Sequence, residues 1–392
     1  MRQKGSILVV GAGVFGVTAA RELTARGWKV TLTDPGPIPN PLAASTDISK
    51  VVRLAYGSDE TYMELMEETL EIWREWNRTW PEPFFHETGV LMLTRTEMSP
   101  GGFEHESFRM LEKRRHRPLR LTPADLRKRF PGWKAQNYVD GFYQSEGGFA
   151  ESGLVVARLA EIARIEGVSI LPSSRIAGLS EEGGRIRGVR TASGETLAAD
   201  CVLITTGAWT PVLLPRLAGS LQATAHPIYH FRPPNRRLYT EPMFPVFTAD
   251  ISKTGWYGFP LNRDGIVKIA NHSAGWKRDP DLPREIQPDE ERSLRSFLED
   301  TFPTLAPLPI SEKRLCFYCD TRDEHFWIDR DPAHPELVVA AGDSGHAFKF
   351  APVLGRIIAD VVEDRPSGLR HRFRWRPGIE PPRGEEESRH HG

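Results

Sequence analysis

The sequence predicts an α/β protein of two domains, a parallel-sheet unit broken in the chain and an antiparallel-sheet domain inserted into it. Three observations predict this. The chain has 392 residues, more than one hydrophobic core ordinarily serves. Its opening stretch reads strand, glycine-rich turn, helix, strand, acid. Two later apolar runs that end in glycine, DCVLITTGAW (200–209) and LVVAAGDSG (337–345), are separated by a proline-rich region of short strand-like pieces.

The opening stretch is ILVVGAGVFGVTAARELTARGWKVTLTD. Residues 7–10 are an apolar run of the length of a buried parallel strand. Gly11, Gly13 and Gly16 follow, with Val14 and Phe15 between the last two; Gly13 and Gly16 open a helix through about Arg26 that Gly27 ends. Residues 29–33 form the next strand, and Asp34 closes it. The first glycine permits the turn, the second lets backbone approach a pyrophosphate, and the third lets helix pack on strand. The phosphates then meet the helix N-terminus, and Asp34 stands at the distance of a ribose acceptor. This spacing predicts dinucleotide binding without separating a nicotinamide from a flavin.

A proline-rich loop comes next, then a long amphipathic helix over 60–78 and a strand over 89–94. Residues 97–106 read as a flexible insertion. A helix over 121–130 starts at Thr122-Pro123. Residues 154–166 form a helix, and 168–171, 186–191 and 201–205 form strands. The region 220–312 reads as an antiparallel sheet with one helix at 290–299. A helix over 353–362 closes the fold, and the polar tail 377–392 is expected to be disordered. The domain map is therefore 1–85, 140–220 and 313–376 for the dinucleotide unit, with 86–139 and 221–312 for the substrate domain.

Composition narrows the function classes. Hydrophobic residues make up 39% and charged residues 26%, with a formal net charge of −1. That balance points away from nucleic acid and anionic membranes as standing partners. No apolar run approaches the roughly 20 residues that span a bilayer. The N-terminus lacks the cleavage site of a signal peptide, so a cytoplasmic location is expected. The cysteines are Cys201, Cys316 and Cys319. They form no disulfide framework, and Cys316-x-x-Cys319 has no partner motif to complete a metal site. Two thiols on opposite faces of one strand is the simplest reading.

Four longer runs carry more specific information: TDISKVVRLAYG, WYGFPLNRDGIVKIANH, CFYCDTRDEHFWID and AAGDSGHAFKFAPVLG. Together they resemble the monomeric sarcosine oxidase family, with fructosyl amino acid and pipecolate oxidases as similar relatives, among the D-amino-acid-oxidase-like FAD oxidoreductases. The resemblance implies a glutathione-reductase-type Rossmann domain and FAD tethered at its 8α carbon through Cys316. It places Lys268 near flavin N5, where an ammonium stabilises superoxide, and His272, Tyr257 and Tyr318 along the substrate cavity. Arg53 and Lys349 match a carboxylate clamp. Lys50 matches a position above the flavin that is arginine in sarcosine oxidases and lysine in fructosyl-type enzymes. Gly342, Asp343 and Gly345 should bring backbone amides to the flavin. Ser45, Thr46, Gly207, Trp209, His346, Lys50 and Lys349 complete the expected cofactor contacts. Cys319 departs from the sarcosine oxidase pattern, where a hydroxyl residue is usual, and receives no role.

Each of these residues also has a plainer reading. Cys316 could be a small buried hydrophobe, and Lys268 a solvent-facing lysine, although Ile266, Val267 and Ile269 flank it. Tyr257 and Tyr318 could be core packing. Lys50 and Arg53 could be surface charges, although Ile48, Val51, Val52 and Leu54 surround them. The expected activity is oxidation of a secondary amine bearing a carboxylate, by hydride transfer to FAD. The imine is released, and molecular oxygen is reduced to hydrogen peroxide. No metal is expected. The alternative is a flavin dehydrogenase that passes its electrons to a protein or quinone.

Overall fold

The computed structural model describes residues 4–379 and Arg389. A six-stranded sheet runs in the order Trp327–Arg330, Leu337–Ala341, Cys201–Ile204, Ser6–Val10, Lys29–Thr33 and Ser169–Leu171. All pairings are parallel except that of the edge strand Trp327–Arg330. The central strands are apolar throughout because both sheet faces are covered. The helix Val14–Ala25 packs against the helices Ser152–Ile165 and Ala351–Val362. Its buried set, Val14 to Ala20 and Leu23, is nearly continuous over the first two turns, as befits a helix sandwiched between others.

The second sheet has nine strands. Its long members are Leu221–Phe231 and Glu312–Thr321, which pair antiparallel over ten residue pairs. It is mixed rather than purely antiparallel, because Val246–Ala249 runs parallel to Val90–Thr94. The strand Val90–Thr94 shows why its sequence reads as an unbroken apolar run. Val90 and Met92 join the core that contains Phe103 and Leu111, whereas Leu91 and Leu93 join an aromatic core with Phe130, Trp133 and Phe247. Alternate side chains enter two different cores, so no position is left for a polar residue.

Several expectations change. Residues 97–106 are not a flexible insertion: the helix Phe103–Lys113 begins within them, with Phe103 and Glu104 buried. The Glu104 carboxylate accepts from Ser252 Oγ at 2.8 Å, which ties this helix to the large sheet. The acidic, glycine-rich run before the helix hides this tie. The strands Asp140–Gln144 and Glu312–Thr321 hydrogen-bond within the large sheet, although the sequence division groups them with the dinucleotide unit. Of the tail 377–392, residues 380–388 and 390–392 lie outside the described residues. Arg389 is buried and pairs with Asp320 at 2.9 Å. Among the described residues no helix is long and apolar enough to cross a membrane.

Candidate active site

A cavity of about 660 Å³ runs from the first glycine turn towards the large sheet. At one end the chain is shaped by close backbone contact. Gly11 has φ +105°, and a Cβ there would stand 2.6 Å from the Thr205 carbonyl oxygen. A Cβ on Gly16 would run into the Gly11 carbonyl. Thr205 Oγ1 donates to the carbonyls of Val10 and Gly11 at 2.9 and 2.7 Å, which locks the turn onto the neighbouring strand. The helix that follows has no acidic residue in its first turn, so its positive end faces the cavity unopposed by a carboxylate of its own. Ser45 Oγ accepts from the Val14 amide at 3.1 Å.

Asp34 lies buried at the same end. Burial pushes its carboxyl above the ordinary value, opposed by bonds from the Ala12 and Gly36 amides and the Asn40 side chain. Those bonds measure 2.9, 3.0 and 2.7 Å. Three donors leave acceptor capacity on the two oxygens for one more hydroxyl. A helix terminus for phosphate, an anchored carboxylate for ribose and a long apolar floor fit a dinucleotide. Thr46 Oγ1 and Ser49 Oγ are buried without a partner among the described residues, and neither residue lines the cavity.

Gly11, Gly13, Val14, Phe15, Asp34, Ser45, Lys50, Gly207, Trp209, Tyr318, Asp343 and Gly345 all line this cavity. Gly16 lies beneath the turn. Gly342 backs against Thr321 and Trp327 instead of lining the cavity. Asp343 braces its loop by accepting from the Cys319 and Gly345 amides, each at 3.0 Å. Burial pushes its carboxyl up to about 6.

At the other end the cavity meets a chamber of charged side chains. Strand alternation builds it. Along Val267–Asn271, Val267 and Ile269 enter the aromatic core, so Lys268 points to the opposite face with Tyr257 and Phe259. Lys268 is fully buried, and its Nζ donates to Asp47 Oδ2 at 2.5 Å and the Ser49 carbonyl at 2.6 Å. Its ammonium also sits 4.5 Å from the centre of the Phe259 ring. Burial lowers its pKa to about 8, against the pull of Asp47. The Asp47 carboxyl is held far below its usual range. Burial alone would raise it, and Lys268 and Lys50 overcome that.

Lys50 stands 3.7 Å from Asp47 Oδ2 and 3.9 Å from the Cys316 sulfur. Burial works against its charge, but Cys316 and Asp47 leave its pKa raised. Cys316 and Tyr318 share one face of their strand, and Cys319 enters a different core. Burial, then Asp343, drives the Cys319 thiol well above its usual pKa, which leaves an inert thiol.

His272 lies beside Tyr318 and Tyr257, with ring centres 5.7 and 6.3 Å apart. A Cβ on Gly345 would meet the His272 ring at 2.8 Å and would clash with Tyr318, so this corner is closely packed. Burial, followed by the charges of Arg389, His226, Arg53 and Lys349, holds His272 well below its usual pKa. It is therefore a neutral imidazole. Arg53 and Lys349 converge on Tyr56, 5.3 and 5.0 Å from its ring centre. Lys349 Nζ donates to the Tyr56 hydroxyl at 2.9 Å and the His346 carbonyl at 3.0 Å. Tyr56 Oη lies 2.9 Å from His346 Nδ1. Burial and the Lys349 charge hold His346 neutral, so the phenol donates to the ring.

The structure thus gathers Lys50, Lys268, Cys316, Tyr257, Tyr318 and His272 at the chamber, with Arg53, Lys349 and His346 around Tyr56. Sequence reasoning missed Asp47, Tyr56, Thr205 and His226, whose ring stacks on Tyr318 at 3.8 Å. Asp47 and Tyr56 both stand inside the run TDISKVVRLAYG. Nothing in their spacing signals that one bridges two lysines and the other two cations.

Residues 6–361 match the family model described as FAD dependent oxidoreductase. Monomeric sarcosine oxidase of Bacillus sp. (strain B-0618) is 29% identical over 364 residues, covering 91% of each chain. N-methyl-L-tryptophan oxidase of Salmonella enteritidis PT4 is 29% identical over 376 residues, covering 93% of this chain and 96% of the relative. Fructosamine oxidase (Amadoriase II) of Aspergillus fumigatus, solved in complex with FSA, aligns with TM-score 0.84 at 27% identity. It covers 96% of this chain and 91% of its own.

Proposed function

The chain belongs to the FAD dependent oxidoreductase family, and on that premise we propose that it oxidises a carboxylate-bearing secondary amine, with tethered FAD and oxygen as acceptor. The observation that carries this reading is the convergence of buried Arg53 and Lys349 on Tyr56, next to a chamber that holds Lys50 and Lys268. Cations gathered from distant parts of the chain suit a small anionic substrate better than a neutral one.

When bound, FAD would supply two-electron redox chemistry, the capacity to accept a hydride equivalent from a carbon next to nitrogen and to pass two electrons on to oxygen. The glycine turn, Ser45 and the helix beginning at Val14 would hold its pyrophosphate, Asp34 its ribose, and Cys316 its ring edge. Arg53 offers a planar fork and Lys349 a point charge to the substrate carboxylate, and the Tyr56 hydroxyl fixes the lysine between them. The neutral His272 and the rings of Tyr257 and Tyr318 orient the amine without adding charge. The cationic surroundings lower an amine's pKa, so it binds with its lone pair available and no side chain need act as base. Lys268 presents the ammonium that a developing oxygen anion requires.

A panel of N-substituted amino acids assayed for peroxide tests the reading. Sarcosine, N-methyltryptophan, pipecolate, fructosyl amino acids and opine-like dicarboxylates belong in it. Peroxide formed in equal amount with imine is the expected result. Imine formed only with an added quinone or protein acceptor would make the chain a dehydrogenase. The tether is tested separately: acid-precipitated protein should stay yellow, and Cys316→Ser protein should release its colour to the supernatant. Colour lost from both would remove the covalent bond from the account.

A further inference from the structure

Asp47 has no part in the reading above, yet it is the charged hub of the chamber. Its carboxylate lies 2.5 Å from Lys268 and 3.7 Å from Lys50, with the side chains of Asp47 and Lys268 1% and 0% exposed. Its other oxygen accepts from the Ile48 amide at 2.7 Å, and its own amide and carbonyl are tied to the Ser152 hydroxyl at 3.2 and 2.8 Å. So the carboxylate cannot swing away from the lysines without breaking backbone ties. Lys268 in turn spends two of its three N–H groups on Asp47 and Ser49, which fixes the direction of the third.

We propose that Asp47 is the positioning residue of this chamber: one carboxylate, shared unequally between Lys268 and Lys50, keeps the Lys268 ammonium charged and fixed in direction. The assignment rests on the oxidase reading for its catalytic meaning, but its electrostatic content stands apart from it. The arrangement is a triangle of one acid and two bases in a closed space. Removing the acid strips Lys268 of the charge that opposes its burial. Removing Lys50 takes away a repelling cation and leaves Asp47 to Lys268 alone. The two changes must therefore move Lys268 in opposite directions. The other charged or titratable groups facing the triangle are Cys316 and Arg314 on the strand Glu312–Thr321, His230 on Leu221–Phe231 and Tyr257 on Trp256–Phe259. Arg314 favours the Asp47 carboxylate and opposes the Lys50 charge, and Cys316, a thioether in the proposed holoenzyme, carries no charge. Burial holds His230 neutral and the Tyr257 phenol protonated, so neither replaces the lost carboxylate.

The test is a titration of the holoenzyme labelled with [6-13C]lysine, in the oxidised form and without amine. The Lys268 resonance is identified by its loss in Lys268→Met. In Asp47→Asn its midpoint should fall by about one pH unit or more, a tenfold change in the ratio of ammonium to amine. Asp47→Glu, which keeps the charge, should restore most of that shift. In Lys50→Met the midpoint should rise. A midpoint that stays put in Asp47→Asn overturns the proposal. If that variant does not fold, an unmoved or lowered midpoint in Lys50→Met overturns it. As a second readout, the pH at which reduced flavin loses its reactivity with oxygen should shift with the Lys268 midpoint in each variant. Lys268 titrates whether or not oxygen is the acceptor, so the two readings fail separately. Shifted midpoints without peroxide would sink the oxidase reading alone, and peroxide with unshifted midpoints would sink the role of Asp47 alone.

Discussion

The glycine cradle lines the cavity, the lysine cluster adjoins it at Lys50 and Tyr318, and the two are built on opposite principles. The cradle comes mainly from one contiguous stretch, Gly11 to Asp34, and works through backbone: a turn, a helix end and one anchored carboxylate. The chamber is assembled from Asp47 and Lys50 in a loop and short strand, Lys268 in the middle of the large sheet, and Cys316 and Tyr318 on a later strand. It works through charge held in a buried space. The cradle should therefore be intolerant of a single added methyl yet indifferent to most side chains. The chamber should tolerate small changes of shape and fail when a charge is lost.

The largest effect should come from the cradle. Gly16→Val drives side-chain carbon into the Gly11 carbonyl, so stability should fall by about 3 kcal/mol or more and little FAD should be retained. Flavin content and unfolding midpoint measure this, and a fully flavinylated variant of normal stability would break the contrast. Next is Arg53→Ala, which should weaken carboxylate inhibitors by about 2–5 kcal/mol if both charges are desolvated. Titration of the flavin spectrum gives the dissociation constant, and an unchanged value would take Arg53 out of the clamp. Lys268→Met should slow reoxidation by oxygen by about 10²–10³-fold, the scale of losing one preorganised electrostatic group. Anaerobic reduction by substrate should change far less. Equal slowing of both half-reactions would mean a general disturbance instead of a local charge.

The smallest effect is a pH dependence. The Lys268 ammonium persists below its folded value of about 8 and is lost above it. Reoxidation should be flat at lower pH and fall by about tenfold per unit beyond that point. A stability consequence has the reverse sense. Between about 8 and the ordinary 10.5 the unfolded chain binds the proton and the folded chain does not, so this group's contribution to stability grows with pH. A reoxidation profile that is flat to pH 10 would show that another group supplies the charge.

How legible each region was in the sequence follows from the same contrast. The cradle could be read in order because its geometry is local: glycine spacing, the apolar strand before it and Asp34 after it all lie within one strand–helix–strand unit. Lys268 could be suspected from its apolar neighbours, and alternation along its strand explains why they are apolar. Asp47 could not be assigned, since it stands in a loop and its partner Lys268 lies in the large sheet, 221 positions away in the chain. Tyr56 could not be assigned either, because its role depends on Lys349 arriving from the far end. Residues 97–106 read as a flexible insertion because of their glycines and acids, and the helix Phe103–Lys113 begins within them. Its anchors are long-range: Glu104 accepts from the Ser252 amide and hydroxyl, and Ser107 Oγ accepts from the Gly57 amide.

The sequence by itself determined the dinucleotide turn, which depends on hydrophobic period, glycine spacing and residues close along the chain, and its resemblance to a known family supplied the candidate side chains. Only the tertiary structure decided which charges meet. Strand pairing and loop closure bring Asp47 to Lys268 and Tyr56 to Lys349, and burial then converts that proximity into fixed charge and neutral imidazole. Electrostatics depends on distance and solvent exposure in space, which no linear spacing encodes.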